Sequence, residues 1–151
     1  MTTIPGGVDP DVVSNFIAVV LRCLRVTVGV EAHVASARTP YNEQAAVAVA
    51  IDFQGDVRGP VTWLFPPSVA LELVRRLMDE PEPAPDSAVD GAAELANILS
   101  GCATTVLEDA GFRSQMGPPR LHVGALPAGI RVRLASAAGP IDVIVSLAGR
   151  P

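Results

Sequence analysis

Residues 47–65, VAVAIDFQGDVRGPVTWLF, alternate apolar with small or polar side chains in two runs that flank a turn-forming segment. Alternation with a period of two is typical of strands, so one side of the first strand is expected to carry Val47, Val49, Ile51 and Phe53. The second run resumes the pattern after QGDVRG, and its apolar side consists of Val61, Trp63 and Phe65. The stretch therefore predicts a β-hairpin with one face directed towards a core.

Two helices are predicted downstream of this hairpin. The first, Pro67 to Met78, begins with proline and has an apolar stripe made of Ala70, Leu73, Val74 and Leu77. The segment EPEPAPD, residues 80–86, follows as a proline-rich linker, because successive prolines prevent a helix from continuing. The second helix is predicted from about Ser87 to Ala110, with Gly111 as its left-handed stop.

An N-terminal helix is predicted from Pro10 to about Val26, after a flexible segment of about residues 1–9. Asp9 or Asp11 is the expected N-cap. Apolar residues at helical spacing predict a buried side formed by Val13, Phe16, Ile17, Val20, Leu21 and Leu24. The 151 residues are expected to fold as a single domain, residues 1–151, because this length suits one core.

Two further strands are predicted towards the C-terminus. IRVRL, residues 130–134, and IDVIVSL, residues 141–147, both show strand alternation and flank a predicted turn at Gly139 and Pro140. A weaker extended stretch, residues 121–124, precedes them. The chain is therefore expected to combine helices with strands.

The composition excludes several classes of function. A nucleic-acid surface needs a basic patch with stacking rings, whereas this chain has a net charge of -5 and 4% aromatic residues. All 11 cationic residues are arginine, which excludes lysine Schiff bases and P-loops. The apolar run of residues 16–21 is too short for a membrane span or a secretory signal, so a cytoplasmic protein is expected.

Cysteine and histidine spacing predicts neither a metal site nor a disulfide. His33 and His122 lie far apart in sequence, without HxxxH or HxH spacing, so no metal or other cofactor is expected. Cys23 and Cys102 lie among apolar residues of predicted helices and do not form a CxxC motif. We therefore expect two buried thiols rather than a disulfide or a redox pair.

The predicted helix from Ser87 to Ala110 has two distinct faces. At 100° per residue its apolar side consists of Ala92, Leu95, Leu99, Cys102 and Val106. The opposite face holds Asp90, Glu94, Asn97, Gly101 and Glu108, and it is flanked by Thr104 and Thr105. Geometry alone fits a solvated surface. Small residues around Glu94 and Asn97, and a mid-helix glycine that costs up to about 1 kcal/mol against alanine, favour contact with a partner instead.

The stretch DGAAELANILSG, residues 90–101, resembles the Asp/Ser-xxx-Glu-xx-Asn signature of the CheC/CheX/FliY phosphatases of bacterial chemotaxis. Asp90, Glu94 and Asn97 occupy its three positions, and Gly91 departs from the pattern. The order of hairpin, helix, linker, signature helix and closing strands is similar over nearly the whole chain from Tyr41 onward. The resemblance implies an α+β fold in which a largely antiparallel sheet packs against long helices.

The resemblance also implies an activity, the removal of the phosphoryl group from the response regulator CheY. Glu94 would form a salt bridge with the regulator's active-site lysine, and Asn97 would enter its phosphorylation pocket and orient water. A carboxamide cannot accept a proton near neutral pH, so Asn97 can position a nucleophile but cannot act as a general base. Asp90 is either an accessory residue or an ordinary surface acid. The Mg²⁺ ion would belong to the phosphorylated regulator.

The first predicted helix distinguishes branches of this family. CheC-like and FliY-like members generally carry a second signature there, but Val12 stands where a glutamate would precede Asn15 by three residues. A single signature resembles CheX, whose members form dimers by joining their sheets, so a homodimer is expected. Two alternatives stay open: a non-catalytic adaptor that binds a receiver domain or a flagellar or signalling complex, and a structural module whose polar face is merely solvated.

Overall fold

The computed structural model describes residues 10–36, 40–79 and 87–149. The predicted N-terminal segment, the candidate cap Asp9 and the proline-rich linker at 80–86 lie outside the described residues. Within those ranges the helices are α1 (Pro10–Cys23), α2 (Pro67–Met78) and α3 (Ser87–Asp109). The strands are β1 (Ala32–Val34), β2 (Val47–Gly55), β3 (Val57–Phe65), β4 (Ser114–Met116), β5 (Arg120–Leu121), β6 (Ile130–Ser136), β7 (Gly139–Val145) and β8 (Ala148–Gly149).

The strands form one antiparallel sheet in the order β1-β6-β7-β3-β2-β4, while β5 pairs with β2 and β8 with β3. The predicted hairpin of β2 and β3 is confirmed, and its register pairs Val47 with Phe65 and Phe53 with Gly59. The strands reach further into the turn than the QGDVRG segment indicated, since β2 ends at Gly55 and β3 begins at Val57. The hairpin is thus a central part of the sheet, which α1, α2 and α3 cover on one side.

The core lies between the helices and this side of the sheet. The alternating residues of the hairpin supply Val49, Ile51, Phe53, Val61, Trp63 and Phe65, all buried. α1 contributes Phe16 and Val20, and α2 contributes Leu73. Full burial of one such side chain stabilises the fold by about 1.5–3 kcal/mol.

α1 continues beyond its regular part as a π-helical turn, Leu24–Val28, and the chain leaves that turn at Gly29 with φ 73°. This ending is close to the predicted limit at about Val26. α2 has the predicted bounds, and α3 ends one residue before Ala110, with Gly111 at φ 90° as predicted.

The other side of the sheet carries a buried ionic cluster. Asp142 on β7 is fully buried and accepts hydrogen bonds from Arg131 and Arg133 of the neighbouring strand β6. Burial alone raises the pKa of the Asp142 carboxyl, but the hydrogen bonds from both guanidinium groups outweigh it and hold this pKa below its usual value. Arg131 also pairs with Glu43, and the ring of Tyr41 lies 4.8 Å from the guanidinium carbon of Arg133.

Two details of the closing strands were predicted incorrectly. Gly139 and Pro140 do not form the turn but begin β7, where they pair with Ser136 and Ala135. The weak stretch at 121–124 is a strand only at Leu121, as part of β5. The short strands β1, β4 and β8 were not predicted, because two or three residues are too few to show alternation.

Candidate functional site

α3 is positioned by a continuous buried stripe. Its buried residues are Ala88, Gly91, Ala92, Leu95, Ala96, Leu99, Ser100, Ala103 and Leu107. The predicted apolar side is therefore correct at Ala92, Leu95 and Leu99. Cys102 and Val106 are only half-buried: Cys102 packs against the core, and Val106 lies beside Val19 of α1 in a surface groove.

A buried hydrogen bond fixes the rotation of α3 over the sheet. The indole Nε1 of Trp63 donates to Ser100 Oγ at 2.9 Å, and both residues are fully buried. Ser100 lies one turn after Asn97 and is fully buried, so this bond fixes the rotation of the helix at its middle. This contact could not be predicted from the sequence, because Trp63 and Ser100 are 37 residues apart.

Gly91 has a packing role at the start of α3. A Cβ atom there would lie 2.0 Å from Cγ2 of Val74 on α2, so only glycine permits this approach of the two helices. The departure from the signature at this position thus has a structural cause. It follows that the N-terminal turns of α3 are held closely against α2.

The outward face of α3 presents Glu94 and Asn97. Glu94 is exposed and Asn97 is half-buried, one turn further along the helix. In the ranges that the structure describes, neither side chain has a hydrogen-bond or ion-pair partner. A carboxylate and a carboxamide thus face outward together with their bonding capacity unused by the fold. Asp90, also exposed, lies one turn before Glu94.

The other residues of the expected partner-contact face differ in their exposure and in their hydrogen bonding. Thr105 is exposed, but the hydroxyl of Thr104 donates to the backbone oxygen of Gly101 at 2.6 Å and is engaged within the helix. Gly101 is half-buried, and a Cβ atom there would meet only Met116 Cε at 3.9 Å, which is ordinary contact. Nothing in the described part of the fold therefore requires glycine at this position.

A polar cleft lies beyond the C-terminal end of the same face. It is lined by residues of α3, the β2 end and the segment around β4, namely Gln54, Gly55, Glu108, Arg113, Ser114 and Gln115. Glu108 shares the face of Glu94, residues 113–115 follow it closely in the sequence, and only Gln54 and Gly55 come from a distant part of the chain. The sequence placed Glu108 on this face but gave no signal for the cleft.

No cluster of three or more His, Cys, Asp or Glu side chains that could hold a metal ion occurs among the described residues. His33 lies on the edge strand β1, and His122 contacts the backbone oxygen of Ala125 at 2.8 Å in a surface segment. No helix in the described ranges is both long enough and apolar enough to span a membrane.

The sequence of the hairpin, α2, α3 and the closing strands matches a known protein family. The model of the family described as "Chemotaxis phosphatase CheX" matches residues 47–141, a range that includes Glu94 and Asn97. The chain belongs to the CheX family. Comparison with curated proteins gives no match.

Solved structures of CheX proteins share this fold. CheX of Vibrio vulnificus is 20% identical, with a TM-score of 0.74 over 91% of this chain and 96% of that one. CheX of Desulfovibrio desulfuricans is 16% identical, with a TM-score of 0.73 over 93% and 99%. A CheX-CheY-BeF3-Mg²⁺ complex from Borrelia burgdorferi is 19% identical, with a TM-score of 0.69 over 95% and 100%. The predicted α+β fold with its antiparallel sheet and long helices is confirmed.

Proposed function

We propose that this protein is a phosphatase that hydrolyses the aspartyl phosphate of a CheY-like receiver domain. The observation that carries the proposal is the pair of exposed Glu94 and half-buried Asn97, which lie one turn apart without a partner in the described fold, on a helix that a buried hydrogen bond anchors to the sheet. Membership of a family of chemotaxis phosphatases and the likeness to a CheX-CheY complex support it.

In the proposed mechanism Asn97 positions the attacking water. The water oxygen bonds to phosphorus while the bond from phosphorus to the aspartate oxygen breaks, releasing inorganic phosphate and a free carboxylate. The carboxamide of Asn97 holds the water in line without accepting its proton, which passes to the phosphate. Alignment suffices because a loose phosphoryl-transfer transition state needs positioning and charge stabilisation more than covalent help.

Glu94 has a separate role in this proposal, as the docking group. Its carboxylate would pair with the active-site lysine of the receiver, and it lies three residues before Asn97 on the same side of the helix. One rigid element therefore delivers both groups at once. The Mg²⁺ ion would be held by the receiver, a proposal that the solved CheX-CheY-BeF3-Mg²⁺ complex supports.

The test is the lifetime of a radiolabelled phosphoryl group on a CheY-like receiver domain. Wild-type protein should shorten this lifetime. Asn97→Ala should lower the rate by about 100-fold while retaining binding to a BeF3-loaded receiver, because it removes alignment rather than docking. Glu94→Ala should instead weaken binding by about 10-fold or more and leave turnover at saturating receiver largely unchanged.

Asn15→Ala provides the matched control, since Asn15 is an exposed asparagine on α1 outside the signature. Its variant should behave as wild type. Full activity of Asn97→Ala would disprove the mechanism. Tight binding of the phosphorylated receiver by wild-type protein, with no change in phosphoryl lifetime, would establish the adaptor alternative.

A further inference from the structure

The two cysteines of the chain meet between α1 and α3. The Sγ atom of Cys23 lies 2.8 Å from that of Cys102, although the residues are 79 positions apart. Both are free thiols in this structure. The expectation of two thiols rather than a disulfide is therefore correct, and the expected burial is correct for Cys23 but not for Cys102, which is half-buried.

The surroundings keep the Cys102 thiol protonated at neutral pH. Burial, together with the neighbouring Cys23, raises the pKa of the Cys102 thiol to about 11, so the reactive thiolate is scarce at neutral pH. Cys102 is the more accessible thiol, at the flank of α3. The chain has only 2 cysteines, so one intramolecular pairing is possible and no exchange of partners competes with it.

We propose that Cys23 and Cys102 form an oxidative modification site at which a peroxide closes a disulfide between α1 and α3. The sulfurs need only approach from 2.8 Å to about 2.05 Å. The site is distinct from the signature face, because Cys102 projects from α3 about 140° away from Asn97. Oxidation should therefore tie the two helices together without covering Glu94 or Asn97.

The chemistry proceeds in two balanced steps. The Cys102 thiolate attacks one peroxide oxygen, the O–O bond breaks, and a sulfenic acid and water result after proton uptake. Cys23 then attacks this sulfur, the S–O bond breaks, and a second water leaves with the proton of the Cys23 thiol. Overall, two thiols and one hydrogen peroxide give one disulfide and two waters, so sulfur is oxidised and peroxide is reduced.

The bond would close a long loop, since 79 positions separate its ends. Restriction of the unfolded chain by such a loop raises Tm by about 10 °C, if the native geometry accepts the bond without distortion. The reverse change on adding dithiothreitol is expected to restore the original Tm. The scarcity of thiolate predicts that oxidation accelerates as pH rises above neutrality.

The experiment treats the full chain with hydrogen peroxide and compares intact mass, free thiols and Tm before and after reduction. The expected result is a monomer that has lost two hydrogens, has no free thiol and melts about 10 °C higher until it is reduced. Cys102→Ala and Cys23→Ala should each abolish the rise in Tm. If the substitution of the buried Cys23 impairs folding, Cys102→Ala alone provides the test. These readouts need no receiver, so they are independent of the phosphatase assay.

Three outcomes would overturn the inference. One is two free thiols after exhaustive peroxide treatment. Another is a sulfinic acid on Cys102, located by peptide mapping so that it is distinguished from sulfoxides of the 3 methionines. The third is a disulfide between two copies of the chain in place of the internal one.

Discussion

Gly91 and Gly101 lie on the same helix, yet their surroundings give them opposite roles. The methyl group that alanine would add at Gly91 lies 2.0 Å from a methyl carbon of Val74, whereas at Gly101 it reaches nothing closer than Met116 Cε at 3.9 Å. Both positions read alike in the sequence, as glycines inside a helix. Only the packing of α2 on α3 separates them.

We predict that Gly91→Ala lowers the free energy of unfolding by about 1–3 kcal/mol, because the stiff Val74 side chain must move or the helices must separate. Gly101→Ala should raise it by about 0.5–1 kcal/mol through helix propensity. Urea unfolding of both variants gives the comparison. In a double-mutant cycle, Val74→Ala should recover part of the loss caused by Gly91→Ala, and strict additivity would contradict the proposed clash.

The Gly101→Ala variant also tests whether Gly101 belongs to a partner-contact face. Since the described fold does not need glycine there, a loss of receiver binding in the more stable Gly101→Ala variant would have to arise at the interface. Unchanged binding would remove Gly101 from the contact face.

At the scale of elements, α3 is a rigid carrier because it is held at separate points along its length. Gly91 packs on α2, Ser100 accepts a hydrogen bond from Trp63, and Cys102 contacts Cys23 of α1. None of these contacts uses Glu94 or Asn97. Helix rotation, and with it the direction of Glu94 and Asn97, is therefore set by the core.

We predict that Ser100→Ala lowers the free energy of unfolding by about 1–2 kcal/mol, because the indole N–H of Trp63 would stay buried without an acceptor. The matched control is Thr105→Ala, which alters an exposed residue of the same helix and should change stability by less than about 0.5 kcal/mol. Chemical denaturation followed by circular dichroism measures both. Equal stabilities of the two variants would show that the buried hydrogen bond contributes nothing.

Long periodic elements could be predicted from the sequence, and short or long-range features could not. α2 matches its predicted bounds because proline begins it and an apolar stripe runs through it. The strands β1, β4 and β8 escaped prediction because each has too few residues for a pattern. Glu94 and Asn97 were found through a local signature, whereas the cleft beside Glu108 and the contact of Cys23 with Cys102 depend on tertiary packing.

At the scale of the whole molecule, the sheet is buried on both sides by different means. Hydrophobic side chains fill the side under the helices, while the other side carries Asp142 with its two arginines beside buried Leu64 and Ile144. Desolvation opposes burial of such a cluster, and mutual hydrogen bonds offset that cost. Loss of one member would leave uncompensated buried charge.

This arrangement predicts an acid-dependent loss of stability. Because the folded-state pKa of Asp142 is lowered, its contribution is fully present above the unfolded value of about 3.9 and disappears as pH falls through the folded pKa. Asp142→Asn should lose about 3 kcal/mol or more near pH 7 and show a shallower decline below about pH 4. Urea unfolding across this pH range measures both effects.

The control for the acid-dependence is Glu72→Gln. Hydrogen bonds from Arg75 and then Arg76 lower the pKa of Glu72 to about 2, but this cluster lies on the surface of α2. Solvent screens such pairs, so the variant should be nearly as stable as wild type at neutral pH. An equally large loss in Glu72→Gln would show that burial of Asp142 is not the cause.

The bond between Trp63 and Ser100 also gives the protein a built-in optical reporter. The chain has 1 tryptophan, so all indole emission comes from a site that touches the middle of α3. Emission maximum and intensity depend on the polarity around the ring and on the hydrogen bond of its N–H. A shift in either therefore reports movement of α3 relative to the sheet, without a dye or a label and one helical turn from Asn97.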